Sequence, residues 1–166
     1  MKTLYIIGGT MGIGKTTICQ ELKKELENSV FLDGDWCWDT NPFQVTEETK
    51  TMVVDNICYL LNNFLRCTAY ENIIFCWVLH QQSIIDSIVN NLNLDNCNVK
   101  CISLMVDEIN LRNRLMNDIR MGVRSLDVIN RSIEKIPLYK SLNTIKIDTN
   151  NKTIKTIVNE IKLLKI

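Results

Sequence analysis

The sequence predicts an α/β fold of three layers, a five-stranded parallel sheet with helices on both faces and a short helical lid, and three observations carry that prediction. Short apolar, β-branched runs alternate with stretches of helical periodicity along the chain. One run, Asn72 to Leu79 (NIIFCWVL), is apolar almost throughout, as a central parallel strand buried on both faces should be. Four of the six glycines fall between the first strand and the first helix. At 166 residues and 46% apolar composition, one domain over 1–166 with a substantial core is expected.

The first strand is Thr3–Ile7, and Ile18, Leu22 and Leu26 recur at helical spacing through Thr16–Glu27. Val30–Leu32 is the second strand. A long helix follows over Thr46–Cys67, with Thr46 placed to cap it. After the NIIFCWVL strand, Ser83-x-x-Asp86 has the spacing of a capping residue for a helix over Ser83–Leu92. Val99–Val106 and Thr144–Ile147 are the remaining strands, and Glu108–Met121 is a helix between them. The last helix is expected over Thr153–Lys165, with Ile154, Ile157, Val158, Ile161 and Leu164 facing inward. There is no internal repeat, low-complexity segment or Pro/Gly-rich linker.

The glycine cluster reads GGTMGIGKT, residues 8–16, and from Gly9 it fits G-x-x-x-x-G-K-[ST] in full. Glycines allow a tight loop whose backbone comes close to a ligand. Between a strand and a helix, the loop's N–H groups and the helix N-terminus converge on an anion. Gly9, Thr10, Met11, Gly12, Ile13, Gly14, Lys15, Thr16 and Thr17 are therefore expected to bind the phosphates of ATP, with Lys15 on the β- and γ-phosphates and the Thr16 hydroxyl on Mg²⁺. The dinucleotide fingerprint fails, because position 17 is Thr17 where a glycine is required.

Lys plus Arg and Asp plus Glu number 19 each, so no global charge attracts nucleic acid or a membrane surface. The seven cysteines form no C-x-x-C pair and read as buried reduced thiols; Cys97 and Cys101 lack partners for a metal site, His80 being the only histidine. The apolar run of MKTLYIIGGT is too short for a signal peptide. A cytoplasmic monomer or homodimer, acting on a small molecule and not on nucleic acid or membrane, is the expectation.

Past the second strand comes Asp33-Gly34-Asp35-Trp36-Cys37-Trp38. Two carboxylates beside a phosphate loop suit two tasks in phosphoryl transfer, supporting Mg²⁺ and receiving or orienting the acceptor hydroxyl. Asp-Gly is also an ordinary turn. Trp36 and Trp38 can wall an acceptor site or pack under the following helix, whereas Trp77 is expected in the core. The third strand ends Trp77-Val78-Leu79-His80 without the acid that many phosphate-loop enzymes place there, which adds weight to Asp33 and weakens a motor-type ATPase reading.

Residues 112–131, RNRLMNDIRMGVRSLDVINR, hold Arg112, Arg114, Arg120, Arg124 and Arg131 around Gly122. Arginine's planar fork suits phosphate oxygens, and a break at Gly122 would make a cover that excludes water. The bland alternative is a solvated helix pair with i,i+4 support such as Asp127 with Arg131.

GGTMGIGKTT followed by FLDGDWCW resembles the small P-loop kinases that phosphorylate metabolites, nucleotides or antibiotics, among them nucleoside monophosphate, shikimate, gluconate and chloramphenicol kinases. That resemblance implies ATP and Mg²⁺ as cofactors, Asp33 nearer the metal and Asp35 nearer the acceptor. It also implies a lid at about 112–131 carrying Arg120 and Arg124, Arg131 directed at the transferring phosphate, and Arg112 stacked on adenine. The leading expectation is a small-molecule kinase; the alternative is a nucleotide-binding switch, or a fold that binds nucleotide without turnover. From Asp39 to Leu65 only Lys50 is basic, which favours a neutral hydroxyl acceptor over a phosphorylated one unless Arg66 lines the cleft.

Overall fold

The computed structural model describes residues 1–164. Its regular elements are β1 (Lys2–Gly8), α1 (Lys15–Glu25), β2 (Ser29–Asp33), α2 (Glu47–Arg66), β3 (Asn72–Trp77), α3 (Gln82–Asn90), β4 (Cys97–Met105), α4 (Glu108–Arg120), α5 (Val128–Ile133), β5 (Ile145–Asp148) and α6 (Ile154–Lys162). Short 3-10 segments occupy Gly34–Cys37 and Ile136–Ser141. All five strands are parallel, in the order β2-β3-β1-β4-β5. The expected α/β sandwich is the observed one.

Side-chain alternation along the strands divides the core into two layers. Tyr5 and Ile7 of β1, with Ile74 and Cys76 of β3, face Ile18 and Leu22 of α1, Leu111 and Leu115 of α4, and Ile157, Val158 and Ile161 of α6. Leu4 and Ile6, with Ile73 and Phe75, face Val53, Ile57 and Leu61 of α2 and Ile85 and Ile88 of α3. β3 is apolar on both faces because both are covered. Its neighbour β1 sits at the middle of the sheet, so the loop that follows β1 emerges at the centre of the carboxyl edge, where parallel sheets bind ligands.

Several element boundaries differ from those expected, for local reasons. β3 stops at Trp77, two residues early, because Leu79 takes a left-handed φ of 45° and turns the chain away. α1 stops at Glu25, and Asn28 at φ 47° makes the turn into β2. Ser83 does not cap α3: it lies inside the helix, whose N-cap is Gln81, and Asp86 instead accepts from Gln82 Nε2. Thr46 does cap α2, in a reciprocal box with Thr49. α6 is described to Lys162, and Lys165 lies outside the described residues. Among the described residues no helix is long and apolar enough to cross a membrane. All seven cysteines are free thiols, with Cys19, Cys58 and Cys76 buried.

Candidate active site

The loop between β1 and α1 is shaped by its glycines and packed from behind. Gly12 has φ 80°, and a Cβ there would overlap the side chain of Leu115 on α4. Any other residue would force the loop off the helix that supports it. Thr10 is buried and its hydroxyl donates to the Ser132 carbonyl of α5 at 2.7 Å, which ties the loop to the segment after α4. Arg114 of α4 donates to the Ile13 carbonyl at 3.2 Å and to Thr149 Oγ1 and carbonyl at 3.1 and 2.7 Å. The loop is thus pinned to α4, α5 and the β5–α6 connection before any ligand arrives.

Lys15 begins α1, and its ammonium donates to the Gly9 and Thr10 carbonyls at 2.8 and 3.2 Å. Loss of solvation lowers its pKa, and the carboxylates of Asp35 and Asp33 oppose that shift. Thr16 Oγ1 donates to Asp33 Oδ2 at 2.7 Å, joining the loop to the end of β2. Asp33 is buried, and its other oxygen accepts the backbone N–H of Asp35 at 3.1 Å, closing an Asx turn over Gly34.

Gly34 is there because Trp77 is. A Cβ at position 34 would lie 2.6 Å from Trp77 Cγ, so the indole packs flush on the glycine backbone. From that position Trp77 Nε1 donates to Asp35 Oδ1 at 3.0 Å. Trp77 packs half-buried against the core layer that faces α2 and α3, and in addition to this expected packing it orients a cleft carboxylate across the boundary between β2 and β3. Partial desolvation in the cleft, then the nearby Asp33 carboxylate, push the Asp35 carboxyl up, while Lys15, the indole N–H and Arg124 pull it down. Trp77 stands edge-on to Trp38 at 6.3 Å between centroids, and Trp38 edge-on to Phe43 at 4.7 Å. Trp36 packs edge-on against Phe31 at 5.3 Å.

Lys15, Thr16, Asp33 and Asp35 border one cleft of about 530 Å³, lined by Met11 to Ile18, Asp33, Asp35, Val78, Arg114, Asn117, Asp118, Arg124, Lys152, Ile154 and Ile157, with the rings of Trp36, Trp38, Phe43 and Trp77 outside this lining. Of the expected residues, the loop from Met11 to Thr17, both aspartates and Arg124 converge there. Gly9 and Thr10 shape the loop from beneath.

Arg112, Arg120 and Arg131 stand outside the lining. Arg112 pairs with Glu108 at 3.0 Å on the outer side of α4, and Arg131 pairs with Asp127 at 2.7 Å, the i,i+4 contact that its spacing allowed. Arg120 closes α4, and Gly122, at φ 72°, ends the helical path. Arg124 donates from Nε to Asp118 at 3.0 Å at the rim. Arg114 could not be preferred over Arg112 from sequence, because which of two nearby helix positions faces the loop depends on the docking angle of α4. Lys152 was missed for the same kind of reason, as it enters from the β5–α6 connection. His80 is outside the lining; its Nδ1 is buried without a hydrogen-bond partner, and burial, with Lys135 beside it, lowers its pKa.

A triphosphate-sized cleft at the carboxyl edge of a parallel sheet, floored by a glycine loop with its lysine and threonine, defines a P-loop phosphotransferase. Residues 6–136 match the sequence family described as AAA domain, and the chain belongs to that family. It is 30% identical to a shikimate kinase of Bacillus anthracis over 171 aligned residues, covering 98% of this chain and 97% of the relative. Among solved structures, the tunicamycin resistance protein of Deinococcus radiodurans superposes with a TM-score of 0.74 at 17% identity, over 97% and 94% of the two chains. A gluconokinase of Sinorhizobium meliloti 1021 gives 0.70 at 15% identity over 95% and 88%. A shikimate kinase of Acinetobacter baumannii, solved with shikimate, gives 0.61 at 19% over 98% and 91%. The fold is common to all three.

Proposed function

We propose that the chain transfers the γ-phosphoryl group of Mg-ATP to a hydroxyl of a small-molecule acceptor. The observation that carries the reading is the 2.7 Å hydrogen bond from Thr16 to Asp33, which brings the end of the phosphate loop and the acidic end of β2 together, with Asp35 beside them in the same cleft. Kinase activity in the Bacillus anthracis relative, aligned over nearly its full length, supports the same conclusion.

Loop amides and Lys15 hold the triphosphate, the ammonium exchanging its two carbonyl partners for phosphate oxygens. The Thr16 hydroxyl and the Asp33 carboxylate are hard oxygen donors of the kind Mg²⁺ takes when it keeps waters and shares phosphate oxygens. Among the described residues no cluster of three or more His, Cys, Asp or Glu side chains stands where it could hold a metal alone, which fits a cation bound jointly with nucleotide. When bound, Mg²⁺ supplies charge neutralisation on the phosphates.

Asp35, oriented by Trp77, accepts the hydrogen of the acceptor hydroxyl as the new O–P bond forms, the bond between the γ-phosphorus and the bridging oxygen breaks, and ADP departs. The segment 112–131 serves as the lid, its movement concentrated in the turn after Arg120, and Arg124 leaves Asp118 to meet phosphate as that turn closes. Closure excludes water, so transfer outcompetes hydrolysis. Arg114, Asn117 and Lys152 border the nucleotide end of the cleft, a role for which Arg112 is badly placed.

The test is ADP release from Mg-ATP across sugars, nucleosides, nucleotides, hydroxy acids and antibiotics, against a blank without acceptor. Stimulation by one acceptor class supports the kinase. Tight ATP binding with a flat panel would replace it with a nucleotide-dependent switch.

A further inference from the structure

The acceptor side of the cleft has a charge and a surface chemistry that narrow what it can receive. Asp35 enters the cleft from the 3-10 turn Gly34–Cys37, and the chain that leaves this turn runs into the N-terminal half of α2, held against the turn by Asn56 Nδ2 donating to the Cys37 carbonyl at 3.0 Å. From Asp35 to Asn56 this stretch carries Asp35, Asp39, Glu47, Glu48 and Asp55, and its one cation, Lys50, is paired with Glu47 at 2.8 Å. Arg66 does not line the cleft. It ends α2 at the opposite edge of the sheet, where Lys2 of β1 donates to the neighbouring Phe64 carbonyl, about 30 Å along a 20-residue helix from its start. The cations that line the cleft are Lys15 in the phosphate loop, Arg114 on Ile13 and Thr149, Arg124 on Asp118, and Lys152 on Glu160. From Asp35 an apolar chain runs outward through Trp77, Trp38 and Phe43, and Phe43 is 60% and Trp36 58% exposed, so flat apolar surface faces solvent next to the acidic side of the cleft.

We propose that the acceptor is an uncharged, hydroxyl-bearing molecule with a ring or other flat apolar face, and that carboxylated or phosphorylated acceptors are rejected by the acidic, cation-poor wall. The proposal deepens the kinase reading and rests on it for the word acceptor. It also sets this chain apart from its shikimate kinase relative, whose named substrate is a carboxylate. An anion near Asp33 and Asp35 meets like charge, the cations that face those acids, Lys15 and Arg124, being the ones that meet phosphate in the kinase reading, and a ring gains contact with the indoles.

The experiment is a titration of intrinsic tryptophan fluorescence in the full chain with Mg-ADP present, using uridine and chloramphenicol as uncharged ligands and shikimate, gluconate and UMP as anionic ones. The expected result is binding of an uncharged ligand roughly tenfold or more tighter than any anionic one, a gap that narrows as salt screens the repulsion. Trp38→Phe should weaken the uncharged ligand and leave ATP affinity unchanged. Equal or tighter binding of shikimate, gluconate or UMP overturns the proposal, as does the failure of both uncharged ligands to bind. Phosphoryl transfer to the bound ligand is measured separately. If the charge preference holds without transfer, the kinase reading fails and the ligand class stands.

Discussion

Asp35 carries opposing demands. One oxygen is fixed by the Trp77 indole at 3.0 Å, and although the residue is exposed, partial desolvation of its carboxyl together with Asp33 raises its pKa. An acid whose folded pKa is raised binds more protons folded than unfolded, so stability falls as pH rises from the ordinary carboxylate value of about 3.9 through the raised one, and the deficit persists at neutral pH. Asp35→Asn keeps an oxygen for the indole and removes the charge. It should therefore raise the melting temperature at pH 7, with the gain shrinking below about pH 4, while lowering kcat on the order of 10²-fold through loss of the proton acceptor. A variant that loses stability at pH 7 would contradict this electrostatic account. Gly34→Ala makes the complementary case. Its Cβ meets the Trp77 ring, so the indole must leave Asp35, and turnover should drop well beyond any change in ATP affinity; unchanged kcat would mean that the indole contact is incidental.

Much at the level of elements was legible in the sequence, and the failures have local causes. The phosphate loop could be read because its motif specifies backbone conformation as well as side chains. β3 could be read because burial on both faces leaves an unbroken apolar run. The cap of α3 and the two-turn α5 could not, since a Ser-x-x-Asp spacing also fits a helix interior and a six-residue helix is too short for periodicity to register. The bond from Trp77 to Asp35 could not be read, because an indole's single N–H finds its partner only through tertiary contact. Two substitutions separate what holds the elements. Leu22→Ala on the buried face of α1 should cost about 2–5 kcal/mol in denaturant unfolding, while Thr46→Ala at the α2 cap should cost about 1 kcal/mol. Equal costs would mean that α1 is not held by the core that its contacts describe.

For the molecule as a whole, charge neutrality and a sheet with both faces covered leave a cleft at the carboxyl edge as the place where phosphate can be held. A ligand that binds only the folded chain stabilises it by RT ln(1 + [L]/Kd), about 2.7 kcal/mol at a hundredfold excess over Kd. Mg-ATP should accordingly raise the melting temperature by several degrees, more than ATP with EDTA, and Lys15→Ala should abolish most of the rise. A shift that is independent of both magnesium and Lys15 would place the nucleotide elsewhere.

The central claim is that the γ-phosphoryl group leaves ATP for an acceptor hydroxyl within this cleft. Its most direct test is transfer of label from γ-labelled ATP to the acceptor selected by the fluorescence titration, in the unaltered chain and in Lys15→Ala and Asp35→Asn. The account predicts one labelled product that forms in proportion to ADP, with both variants strongly impaired. Label recovered only as inorganic phosphate, or transfer undiminished in Asp35→Asn, would contradict it.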